Sequence, residues 1–211
     1  MKRAALVAAI AVAAGCSQRP EPPLSSGATA PVASSSAATA AADGGTRVVG
    51  TVQASGLAVI ALEPKTARAF PPQVETPVMD QVGLTFGPEL LLVRTGEPVE
   101  FRNNDDTLHN VNVKDEQTRE QAFNVAIPTG SVYEHTFRRD GFYRVGCDIH
   151  PAMAASIFAA ATPFTAIAAQ DGSFEFDGVP PGPWTLTVYT GGRRLLKDVQ
   201  VSGGTTAVDV E

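Results

Sequence analysis

Beyond about residue 46 this 211-residue chain predicts an all-β fold. Three observations carry that expectation. Apolar residues fall in short runs, many alternating with polar ones. The runs favour Val, Ile, Thr and Phe over helix formers. Gly, Pro, Asn and Asp separate them, drawn from a pool of 19 Gly and 16 Pro. The one stretch of helical composition, the Ala-rich 151–161, holds Ile157 and Phe158 behind a tight loop and reads better as a strand.

Residues 1–16 read as an export signal of the bacterial lipoprotein type. Lys2 and Arg3 give the positive start, Ala4 to Ala14 an apolar stretch, and Ala13-Ala14-Gly15 the small residues before Cys16. A cysteine at this place resembles a lipoprotein cleavage site, although Ala13 stands where Leu is usual. The resemblance implies lipid on Cys16 and a membrane anchor, so the expected location is extracytoplasmic, on the periplasmic side or in the cell envelope. Residues 17–45 are Ser, Ala, Thr, Pro and Gly with almost no large apolar side chain, and so read as a disordered tether. As a flexible coil it would reach about 30 Å. The formal charge of −6, with no basic run, argues against a nucleic-acid partner.

Candidate strands follow at 48–53, 58–63, 78–85, 89–94, 99–103, 110–113, 132–137, 142–147 and 155–160. A second group lies at 166–170, 174–176, 184–189, 195–201 and 207–210. Asp171-Gly172 suits a tight hairpin between its flanking runs. In the strand 142–147, Tyr143, Val145 and Cys147 share one face, which places the thiol on the core side at the strand's end.

That thiol begins a Cys147-x-x-His150-x-x-Met153 run, and a second histidine, His109, stands upstream. One thiolate, two imidazoles and one thioether are the donor set of a blue-copper electron-transfer site. Zinc would accept His₂Cys with a fourth donor, but a thioether suits it poorly. The chain has three His, three Met and two Cys to distribute, so the run is specific. If Cys16 carries lipid, Cys147 has no disulfide partner, and a metal accounts for an unpaired exported thiol. His135 falls in the strand 132–137, away from both ligand segments, and reads as a surface or edge histidine.

The chain here resembles the cupredoxin family, in particular its small plastocyanin- and amicyanin-like electron carriers. The resemblance covers about residues 74–160. It rests on Phe86-Gly87-Pro88-Glu89-Leu90, Val99-Glu100-Phe101-Arg102-Asn103-Asn104-Asp105, His109-Asn110-Val111 and Gly141 through Met153. The two-residue gap between His150 and Met153 matches the short amicyanin-like loop. The resemblance implies a Greek-key β-sandwich and one type 1 copper per chain. In it His109, Cys147 and His150 are the strong ligands, Met153 is the axial one, and Asn110 ties the ligand loops together. It also implies redox partners docking near His150, beside the apolar Pro151-Ala152. Too few histidines exist for a catalytic copper cluster and the ligand loop has only Cys147, so a carrier rather than an enzyme is expected. The alternatives are a copper storage or delivery protein, and a non-redox envelope module with a stabilising metal.

Residues 170–176 and Gly178-Val179-Pro180-Pro181-Gly182-Pro183-Trp184 resemble the smaller, prealbumin-like β-sandwich of carboxypeptidase regulatory-like modules. Val49-Gly50-Thr51-Val52 and Ala58 to Leu62 look like opening strands of that module. The expected organisation is signal 1–16, tether 17–45, opening strands 46–70, cupredoxin 71–160 and the rest of the module at 161–211. On this reading the cupredoxin is an insertion. The simpler option makes residues 47–63 extra cupredoxin strands.

Overall fold

The structure, a computed structural model, describes residues 46–211, and they contain β-strands without a helix. The signal segment with Cys16, and the tether, lie outside the described residues. The strands are β1 (Thr46–Val52), β2 (Ala58–Pro64), β3 (Val78–Val82), β4 (Thr85–Gly87), β5 (Leu90–Arg94), β6 (Pro98–Asn103), β7 (His109–Asp115) and β8 (Gln121–Ile127). They continue as β9 (Val132–Thr136), β10 (Gly141–Gly146), β11 (Ala154–Ala160), β12 (Thr165–Ile167), β13 (Ser173–Val179), β14 (Gly182–Thr190), β15 (Arg193–Val201) and β16 (Thr205–Val210).

Strands β3 to β11 form a cupredoxin β-sandwich. One sheet has the order β5-β11-β10-β7-β8 and the other β4-β3-β6-β9. Alternation drives the closure: Val99 and Phe101 from β6, Val111 and Val113 from β7, Tyr143 and Val145 from β10, and Ile157 from β11 all point inward. Phe101 is fully buried, which stabilises the fold by roughly 1.5–3 kcal/mol.

The remaining strands make a second sandwich with sheets β13-β1-β16 and β12-β2-β14-β15. Among the described residues, strands β1 and β2 pair only with strands that follow β11 in sequence: β1 with β13 and β16, β2 with β12 and β14. Trp184 is the centre of this core, 1% exposed, with its indole N–H donated to the Pro180 carbonyl at 3.0 Å.

Two runs that lack alternation explain how the sandwiches stack. In β2, Ala58, Ile60 and Leu62 enter the second core while Val59 and Ala61 face the other way. In β11, Ala155, Ile157 and Ala159 enter the core of the first sandwich while Phe158 and Ala160 face outward. These outer faces pack on one another, with Phe142, Phe158 and Tyr189 in mutual ring contact at 4.8–5.4 Å. A strand buried on both faces reads as a continuous apolar run.

Three expectations need correction. The single strand 78–85 is two, β3 and β4, broken by a turn at Gly83-Leu84 where both residues have positive φ. Strand β8 was not expected at all. It is an edge strand, and its outward Gln, Ala and Asn positions are weak strand formers. The hairpin expected across Asp171-Gly172 does not form, because β12 pairs with β2 and β13 with β1 in the other sheet. His109, just ahead of the expected strand 110–113, is the first position of β7. His135 sits on the edge strand β9, half-buried, its ring 4.4 Å from Phe123 and 4.9 Å from Phe137.

Candidate metal centre

Three neighbouring strands deliver the donors to one end of the sandwich. His109 opens β7, Cys147 follows the end of the antiparallel β10, and Met153 precedes β11. The loop into His109 is organised by buried Asn103. Its amide donates to the carbonyls of Thr107 at 2.9 Å and Ile127 at 2.7 Å, while its side-chain oxygen accepts from the Asp105 N–H. On the other side a turn closes between Cys147 and Met153. The Met153 N–H bonds the His150 carbonyl at 2.9 Å, and the Cys147 N–H bonds the Met153 carbonyl at 3.3 Å.

The result is a compact donor triangle. His109 Nδ1 lies 2.9 Å from His150 Nδ1, and Cys147 Sγ lies 3.9 and 3.8 Å from these nitrogens. A point equidistant from all three sits about 2.1 Å from each, the circumradius of that triangle. Imidazole and thiolate bonds to an ion such as zinc span roughly 2.0–2.3 Å. The triangle is therefore already the size of an ion's coordination shell. Among the described residues these three form the one His/Cys/Asp/Glu group close enough to hold a metal. Met153 is 2% exposed and lies in the same buried cluster as Cys147. His135, on the edge strand β9, is not part of the group.

Burial differs across the triangle. His109 is fully buried, Cys147 is 5% exposed, and His150 is half-buried. Ile149, Pro151 and Ala152 beside His150 are exposed, as is Leu108 beside His109. One imidazole thus reaches an apolar surface and the other does not.

Asn110 links the two ligand segments. Its Oδ1 accepts from the Asp148 N–H at 2.7 Å, the Ile149 N–H at 3.3 Å and the Cys147 thiol at 3.3 Å. Two acidic groups that sequence reasoning left without a role also border the site. Asp148 accepts side-chain amide bonds from Asn112, Asn124 and Asn110, which hold its carboxyl below the usual carboxylate range. Asp105 accepts from the Leu84 N–H and from His109 Nε2, and these bonds lower its carboxyl likewise. The sequence signal for Asp105 was its spacing four residues before His109. Asn124 had none, because its strand went unrecognised.

The chain is similar to known proteins over this region. The family model for copper binding proteins of the plastocyanin/azurin family matches residues 72–158. Among solved structures, a purple cupredoxin from Nitrosopumilus maritimus is 24% identical over 40% of this chain and 99% of its own, with a TM-score of 0.36. An oxidised amicyanin variant is 22% identical over 40% of this chain and 82% of its own, at a TM-score of 0.37. A copper-containing nitrite reductase from Thermus scotoductus is 30% identical over 46% of this chain but a quarter of its own length, at a TM-score of 0.38. No curated protein sequence matches the chain. Residues 72–158 thus match the plastocyanin/azurin family model and fold as a cupredoxin β-sandwich, and the cofactor that suits the His-Cys-His group is copper.

Proposed function

We propose that the protein is a type 1 copper electron carrier rather than an enzyme, exchanging single electrons with extracytoplasmic redox partners. His109, Cys147 and His150 hold the ion as the strong ligands, and Met153 is the weak axial one. The bound copper supplies a one-electron Cu(II)/Cu(I) couple. The observation that carries the reading is the donor triangle with two unequal imidazoles. His109 is sealed in the core, while His150 borders exposed Ile149, Pro151 and Ala152. A half-buried ligand in an apolar rim gives a partner a short route to the ion, and transient redox contacts need only a small interface. With His135 on the edge strand β9, outside the triangle, no histidine remains for a second, catalytic centre.

On the same reading Cys16 carries lipid, and residues 17–45 tether the folded part to a membrane. The cupredoxin, residues 71–160, is inserted between strands of a carboxypeptidase regulatory-like module that acts as a structural platform. The pairing of β1 and β2 with later strands supports that organisation.

The test is to load the purified chain with Cu(II) and record visible and EPR spectra. An intense thiolate-to-copper band that Cys147→Ser abolishes, reversible on reduction and reoxidation, is expected. A band that survives Cys147→Ser would overturn the reading. A band that cannot be cycled would favour copper storage or delivery instead.

A further inference from the structure

His109 Nε2 lies 2.8 Å from Asp105 Oδ2. A carboxylate only accepts hydrogen bonds, and a neutral imidazole has one N–H and one lone pair. The proton therefore sits on Nε2, and the lone pair on Nδ1, the atom that faces His150 Nδ1 and Cys147 Sγ. His109 is fully buried, so no water stands ready to replace the acceptor.

The carboxylate is itself fixed. Its Oδ1 accepts the Gly83 N–H at 2.5 Å and its Oδ2 accepts the Leu84 N–H at 2.9 Å. Leu84 has φ of 59°, a left-handed conformation that a branched side chain enters only where its surroundings impose it. A turn from one sheet thus presents two amides to the carboxylate that orients a ligand in the other. Such a carboxylate fixes tautomer and ring orientation and makes the imidazole a stronger donor. A stronger nitrogen donor favours the harder, more highly charged Cu(II) over Cu(I).

We propose that Asp105 is a positioning residue of the copper site: it holds His109 in the tautomer that presents Nδ1 and, through that bond, biases the couple toward the oxidised ion. This rests on the ligand assignment above, and the wild-type spectrum tests the assignment separately.

The experiment compares the full chain with Asp105→Asn and Asp105→Ala, using Asp106→Asn as a control that removes an exposed neighbouring charge without touching His109. In the copper-free wild type, ¹⁵N shifts of His109 should report an Nε2–H tautomer. Asp105→Ala should lose roughly 10–100-fold in Cu(II) affinity, the usual effect of deleting such a partner. Asp105→Asn should keep the thiolate band but lose about tenfold in its preference for Cu(II) over Cu(I). For a one-electron couple that raises the reduction potential by about 59 mV. Asp106→Asn should move the potential less than a third as far.

An Nδ1–H tautomer in the copper-free wild type would overturn the proposal whether or not the variants fold. An unchanged potential in a blue Asp105→Asn protein would do so too. Equal shifts in Asp105→Asn and Asp106→Asn would replace it with a general effect of surface charge.

Discussion

Truncating Asn110 to Ala removes the acceptor shared by the Asp148 N–H, the Ile149 N–H and the Cys147 thiol, together with the amide donor to Asn124 and Asp148. Leaving a buried backbone donor without a partner costs about 1–3 kcal/mol. Both orphaned N–H groups lie in a loop whose side chains reach solvent, so the low end applies to each. The sum is about 2–3 kcal/mol. At about 2–4 °C per kcal/mol for a chain of this size, the melting temperature should fall by about 4–12 °C. The melt is followed in the copper-free chain, by far-UV circular dichroism, so that metal affinity does not enter the comparison. Asn110→Asp keeps an acceptor for the loop amides but sets an oxygen where Nδ2 met Asp148 Oδ2 at 3.0 Å. Adding Asp148→Asn to it restores a donor to that contact, so the pair should recover about 0.5 kcal/mol or more relative to the two single changes added together. The reasoning fails if Asn110→Ala stays within about 0.5 kcal/mol of wild type, the range of an ordinary surface change.

Gly50 sits between two strands, where an added Cβ would come within 1.9 Å of the Val208 carbonyl and 2.6 Å of the Phe174 ring. Gly50→Ala should therefore split β1 from β16 or β13, lowering the unfolding midpoint read by the single tryptophan, Trp184, by at least the 1–3 kcal/mol typical of overpacking. Phe158→Ala empties the contact between the sandwiches and should cost about 3–5 kcal/mol. Since Phe158 packs on Tyr189 of the second sandwich, Trp184 fluorescence should register the loss although Trp184 lies in the other core; an unmoved Trp184 transition would show that the sandwiches unfold independently. Burial, and secondarily the charge of Arg138, lowers the His135 pKa below its ordinary value. The unfolded chain then binds a proton more readily, so this contribution to stability is complete above about pH 6.5 and shrinks as pH falls toward the folded value. His135→Phe should flatten the stability–pH curve in that window, and an unchanged slope in chemical denaturation would contradict it.

Legibility in the sequence followed how many demands each segment met at once. Strand β10 was readable because alternation and the ligand spacing agreed, and β11 because Ile157 and Phe158 follow the tight ligand loop. The donor set itself was readable because sulfur and imidazole side chains are scarce here and each has few other uses. Strand β8 was not, since Gln121, Ala122, Asn124 and Ala126 are poor strand formers and only pairing with β7 makes the segment extended. The break between β3 and β4 was hidden because Leu84 is an unusual residue for positive φ, and what holds it there is Asp105, twenty-one positions away. The surroundings of Asp148 were invisible for the same reason, since its partners are gathered only by folding, whereas Asp105 left one trace, its spacing four residues before His109. Whether residues 46–64 belonged with the later strands could not be read from local pattern. The unbroken apolar run Ala58–Leu62 did carry the hint that both of its faces are covered.

The arrangement of the sheet explains why the donor triangle is so well defined. In the order β5-β11-β10-β7-β8, the strands that carry or adjoin His109, Cys147 and Met153 are the three central ones. Their antiparallel pairing brings the start of β7, the end of β10 and the start of β11 to the same edge, through Gly146 opposite both Asn112 and Ala154. Cys147 and Met153 each sit one residue beyond these ladders and are tied to one another by the Cys147 N–H on the Met153 carbonyl, while His109 belongs to the ladder of β7 with β8. Strand β11 is held further, because its outer face, Phe158 and Ala160, is pressed against Val59, Ala61 and Tyr189 of the second sandwich. The second sandwich thus braces the sheet from behind while the ligand end stays open. His150 is the exception, hung in a turn between Cys147 and Met153 and tied by its carbonyl to the Met153 N–H. Rigidity is concentrated at the end of the sheet, where His109, Cys147 and Met153 sit, and exposure in the turn that holds His150, a division that suits the proposed electron carrier.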